Sequence, residues 1–127
     1  MATIHQEVTL SAPPSLIFQA LTTGKLFSEV TGAPATGECA EGAAFSGFGG
    51  HITGRQVELV KDKRVVQAWR AKTWPAGVYS VARFELSPEG AGTKLVFDHD
   101  AFPADMKDHL ASGWQSNYWD NLAKLGR

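Results

Sequence analysis

The segment Phe97-Asp98-His99-Asp100 sets an imidazole between two carboxylates. On a β-strand, successive side chains point to opposite faces. Thr93, Leu95, Phe97 and His99 then share one face, and its apolar members make it the inward one. His99 is expected to point into the protein, toward Trp114 or Tyr118. There it could serve as a general base or as a polar anchor in an apolar pocket. It could equally be a buried histidine with one satisfied hydrogen bond. The same alternation turns Asp98 and Asp100 away from His99, so one ion cannot collect all three. His5, His51 and His109 fall on separate elements, and no metal site is expected.

Other residue types offer a pocket wall. Trp69 shares a strand face with Val65 and Gln67, giving either a wall with a polar handle or plain core packing. Trp114 and Tyr118 lie one helical turn apart and should face the same way. Trp119 falls off that stripe. It would form an exposed contact surface, such as a dimer interface, or tuck under the first strand. Trp74 in Trp74-Pro75-Ala-Gly77 would gate a cavity or staple a loop. Arg70 should meet solvent or a surface carboxylate. Gln56 and Glu58 are expected on one strand face, with a bulge marked by Gly54. The sequence shows no catalytic triad order, phosphate-binding loop or dinucleotide fingerprint, and no cofactor is expected.

Such residues must be positioned by elements. Thr3 to Leu10 alternates as a strand. Ser11-Ala-Pro-Pro14 offers an N-cap and prolines suited to a first helical turn. Leu16, Ile17, Ala20 and Leu21 then make one apolar helical stripe. A short second helix is expected near Lys25 to Glu29. Glycine-punctuated short strands are expected near Ala33 to Glu38 and Ala43 to Phe48. Four stronger strands follow: His51 to Val60, Arg64 to Lys72, Val78 to Ser87 and Thr93 to Ala101. Pro88 to Gly92 reads as a hairpin loop. From Ala104 to Leu125, apolar residues recur at three and four positions, a helix of about six turns.

The expected fold class is α+β. A curved antiparallel sheet of about six or seven strands should wrap a long C-terminal helix, with two short helices after the first strand. A gap between sheet and helix is the physical origin of any ligand site.

The 127 residues, 43% apolar and 20% charged, fit one globular domain spanning 1–127. A net charge of −1 leaves no basic excess to neutralise nucleic-acid phosphates. No apolar run approaches the roughly twenty residues of a membrane span. The single Cys39 leaves no internal disulfide. With no signal-peptide pattern at the start, a cytoplasmic location is expected.

Gly54, Val65-Val-Gln-Ala-Trp69-Arg70, Trp74-Pro75-Ala-Gly77, Ser80, Phe84 and Leu86 carry a resemblance. Thr93-Lys-Leu95, His99, Phe102-Pro103, Gly113-Trp114 and Tyr118 continue it. The chain resembles the START-like, or helix-grip, superfamily. Within it, the sequence is similar to the C-terminal domain of the activator of heat-shock protein 90 ATPase homologue family. That resemblance implies the helix-grip fold and three kinds of function. The first is binding of a small apolar or aromatic ligand by Gln67, Trp69, Ser80, Phe84, Phe97, His99, Trp114 and Tyr118. In that set Gln67, Ser80, His99 and Tyr118 would orient the ligand. The second is a cyclase or hydrolase with His99 as base and Tyr118 as proton donor. The third is a protein-interaction module, either a homodimer or a partner of an Hsp90-type chaperone.

Overall fold

The computed structural model describes residues 3–126. Strand β1 (Thr3–Leu10) buries Ile4 and Leu10 and turns His5, Glu7 and Thr9 outward, as its alternation dictates. Helix α1 (Pro14–Thr22) opens on a proline, whose missing N–H needs no partner in a first turn. Pro13, not Ser11, is its N-cap, and no side chain caps it. Ile17, Phe18, Ala20 and Leu21 form its buried stripe. Helix α2 (Gly24–Thr31) stops at Gly32, whose φ of 75° is the left-handed conformation that ends helices.

Strand β2 (Ala44–Gly47) follows, but the strand expected near Ala33 to Glu38 reduces to one bridge, Thr36 to Ser46. The remaining strands are β3 (Ile52–Val60), β4 (Arg64–Ala71), β5 (Ser80–Glu89) and β6 (Gly92–Asp100). They make a six-stranded antiparallel sheet in the order β1-β6-β5-β4-β3-β2. The β5–β6 loop is shorter than expected. Pro88 and Glu89 pair with Thr93 and Gly92, leaving a two-residue turn at Gly90-Ala91.

The bulge in β3 lies between Gln56 and Glu58 rather than at Gly54. The extra residue, Val57, flips the strand's sidedness. Gln56 is therefore buried while Glu58 sits outside, paired with Arg64 at 3.0 Å. Gly54 has a different reason to be glycine. A Cβ there would stand 1.9 Å from the Ala68 carbonyl oxygen and 2.7 Å from the Phe45 ring.

A wide twisted sheet curls, and its concave face needs a cover. The C-terminal helix supplies it. A tight turn at Ala104–Met106 leads into α3 (Lys107–Gly113), a π-helical segment at Trp114–Trp119 and a last α-helical stretch at Asp120–Leu122. The sequence reading predicts one regular helix here, and the widened segment has a consequence. Trp114, Tyr118 and Trp119 all face the sheet and are buried. A wider turn lets positions four and five residues on share one face. Trp119 thus tucks under β1, where its Nε1 donates to Gln6 Oε1 at 2.7 Å. It offers no exposed surface for a dimer. No helix among the described residues is long and apolar enough to cross a membrane.

Candidate functional site

His99 is completely buried and held on both sides. Trp114 Nε1 donates to His99 Nδ1 at 3.0 Å. A neutral ring that accepts at Nδ1 carries its proton on Nε2. Nε2 therefore donates to Ser80 Oγ at 2.6 Å, and Ser80 donates onward to the Trp69 carbonyl at 3.0 Å. Each polar atom of this relay has its partner. Burial pushes the His99 pKa down to about 3, because a charged imidazole has no water around it. Protonation of Nδ1 would also set two N–H groups against each other. His99 thus has no free lone pair with which to act as a base.

Gln67 is similarly committed. Its Nε2 donates to the Leu21 carbonyl at 3.3 Å and to Gln56 Oε1 at 3.2 Å, tying the end of α1 to the sheet. Phe84 and Phe97 are fully buried, with ring centroids 5.0 Å apart, and Trp114 lies 4.3 Å from Phe97. The space beside Gln56, Gln67 and Tyr118 is only about 20 Å³, enough for one water. The interior between α1, α2 and the sheet is filled by its own side chains.

A larger space lies toward the other end of the helix. A cleft of about 460 Å³ opens to solvent between the start of β3, the end of β4 and the C-terminal helix. Phe48, Ile52, Trp69, Ala71, Leu110, Trp114 and Tyr118 give it an apolar, largely aromatic lining. Exposed His51, Thr73, His109 and Asn117 border it. Trp69 Nε1 donates to the Tyr118 phenol oxygen Oη at 3.4 Å, fixing one wall against the other. Burial raises the Tyr118 pKa well above the ordinary phenol value, so this hydroxyl stays neutral.

Of the eight residues expected to touch a ligand, Trp69, Trp114 and Tyr118 line the cleft. Gln67, Ser80, Phe84, Phe97 and His99 do not border it; they pack behind it. The inward face of a strand continues past the cleft into the core, and alternation alone cannot say where one ends. His51 and His109, expected apart on separate elements, come to the same opening. The stripe on the last helix already contained Leu110, Gly113 and Asn117, but nothing in it marks which members face open space. Trp74 is buried against Trp69, with ring centroids 5.6 Å apart, and staples its loop. Arg70 completes the staple by donating to the carbonyls of Trp74 at 2.9 Å and Pro75 at 3.3 Å, not to a carboxylate.

Gly113 faces the cleft from the middle of the helix. Its φ of −65° is ordinary helical backbone, open to any residue. A Cβ there would meet nothing closer than Asn117 Nδ2 at 3.7 Å. Neither strain nor crowding calls for glycine, and a helical glycine costs about 0.5–1 kcal/mol relative to alanine.

A family model described as activator of Hsp90 ATPase homolog 1-like protein matches residues 11–126. The chain belongs to this family. It is 30% identical over 117 residues to the human activator of 90 kDa heat shock protein ATPase homolog 1, covering 92% of this chain and 34% of the human protein. The chain thus spans about a third of the length of the curated relatives it matches first. The crystal structure of an HSP90 activator from Plasmodium falciparum superposes with a TM-score of 0.89 at 25% identity, over 96% of this chain and 94% of that one. The solution structure of the Aha1 dimer from Colwellia psychrerythraea shares the fold, with a TM-score of 0.81 at 21% identity, covering 100% of this chain and 99% of that one.

Proposed function

We propose that this protein binds a small apolar or aromatic molecule in the cleft between the sheet and the C-terminal helix. Gly113 carries the reading. A helix interior that keeps a glycine without backbone need, on a wall facing 460 Å³ of open space, keeps room for something outside the chain. The lining supports it: aromatic walls give a large burial gain, about 25 cal/mol per Å² of apolar surface. The volume lies within the range of small-molecule sites. No catalytic role is assigned to His99, which lies behind the wall with both ring nitrogens engaged.

The test fills the space. A Gly113→Leu side chain projects into the cleft without a backbone clash. Titration of wild-type protein with 4-phenylbutan-1-ol in a calorimeter should show binding, and Gly113→Leu should show none while melting no lower. Equal binding by both proteins would remove the cleft as the site.

A second reading rests on the family itself: the domain acts on an Hsp90-type chaperone, as the names of its human and Plasmodium relatives state for them. It predicts a complex at micromolar concentrations and faster ATP hydrolysis by the chaperone. Absence of both, with 4-phenylbutan-1-ol binding intact, favours the ligand reading.

A further inference from the structure

We infer that the ligand of this cleft is an amphiphile with an anionic head, an aromatic or aliphatic monocarboxylic acid, whose carboxylate lies between His51 and His109. The inference rests on the cleft being a ligand site, as proposed above. What it adds comes from where charge is found and where it is not.

No Asp, Glu, Lys or Arg is among the residues lining the cleft. A cationic ligand would therefore find no counter-charge there. The titratable groups that the β2–β3 connection, β3, β4, the following loop and the helix present to the cleft are His51, His109 and Tyr118. The Tyr118 phenol stays neutral and already accepts from Trp69. The two histidines differ from it. Both are exposed, and neither ring nitrogen of either one takes part in a hydrogen bond within the described residues. The contrast with His5 and His99 is direct, since both nitrogens of each of those rings are occupied.

The two free imidazoles come from opposite walls, one at the entry to β3 and one on α3. Asn117 adds an amide donor on the helix side. Deeper in, Trp69, Trp114 and Leu110 are buried and offer only apolar contact. The cleft is thus graded, with donors at its opening and carbon at its floor. A carboxylate accepts hydrogen bonds from imidazole N–H groups and gains further when its binding draws a proton onto the ring.

The experiment compares two probes with one body, 4-phenylbutyrate and 4-phenylbutan-1-ol, by calorimetry at about pH 8 and about pH 6. The acid should bind about tenfold tighter at the lower pH, and the alcohol equally at both. The double variant His51→Gln/His109→Gln, with both sites exposed, should fold normally by circular dichroism. It should abolish the acid's pH dependence, with the alcohol still binding equally at both pH values. If the alcohol binds but the acid shows no pH dependence, or the double variant retains it, the carboxylate inference is overturned and the cleft stands. If neither probe binds, the cleft reading falls and this inference with it.

Discussion

His99 shows at the scale of a residue how an apparent catalytic group becomes a structural one. Its pKa of about 3 in the fold lies below the ordinary 6.5 of an unfolded chain. A depressed histidine contributes stability that is complete above about pH 6.5 and is lost as pH falls toward 3. The slope approaches 1.4 kcal/mol per pH unit, or about 2 kcal/mol between pH 7 and 5. Glu7 and Asp98, whose pKa values are held down chiefly by the His5 hydrogen bond against the cost of burial, also lose stability in acid. The test is therefore a difference. Urea unfolding of His99→Gln should lose about 2 kcal/mol less than wild type between those pH values. Parallel losses would contradict the relay. The inward direction of His99 was legible, because strand alternation is a strict period of two. Trp114 was one of its two expected neighbours, but Ser80 was not legible, because it meets His99 only through tertiary packing.

The same division holds at the scale of elements. Strands β3 to β6 and the last helix announce themselves through periodicity, and the structure places them within a few residues of expectation. The position of one single-residue insertion and the existence of another escaped that reading. Val57 in β3 puts Gln56 and Glu58, expected on one face, on opposite ones, so that only Gln56 is buried. The π-helical segment brings Trp119 inward when a regular helix would leave it off the stripe. Both insertions preserve the pattern on either side, so periodicity does not register them. This view of the helix has a testable consequence. Deleting exposed Ser116 changes the spacing from Trp114 to Tyr118 and Trp119 from four and five to three and four. An ordinary α-helix presents that spacing on one face. The deletion variant should stay folded with its tryptophan emission still blue-shifted, as buried indoles give. A red shift to the emission of solvent-exposed tryptophan would show that Trp119 had left the core.

Across the whole molecule, the sheet's two faces do different work. The concave face holds the core and the cleft. The convex face carries a chain of alternating charge across five strands. It runs Lys94–Glu7 (3.4 Å), Glu7–His5 (3.0 Å), His5–Asp98 (2.7 Å) and Asp98–Arg83 (3.3 Å). It continues Arg83–Glu85 (3.8 Å), Glu85–Arg64 (3.4 Å) and Arg64–Glu58 (3.0 Å). Hydrogen bonds to Asp98 and then Glu7 raise the His5 pKa, so its contribution is present in acid and fades as pH rises through that raised value. These pairs are exposed and weak one by one. Arg83→Met, which cuts the chain at its centre, should lower stability by under about 1 kcal/mol in dilute buffer. The difference should vanish in about 1 M salt, where the screening length is about 3 Å. A deficit that persists in salt would mean that Arg83 acts through packing.

The central claim is that the open space between sheet and helix receives a guest. Indole N–H resonances test it most directly, because the four tryptophans sort by position: Trp69 and Trp114 line the cleft, while Trp74 and Trp119 do not. On titration with 4-phenylbutan-1-ol, the Trp69 and Trp114 signals should move together and saturate, with smaller changes at Trp74 and Trp119. Saturating shifts centred on Trp119, or no saturating shift at any indole, would contradict the account.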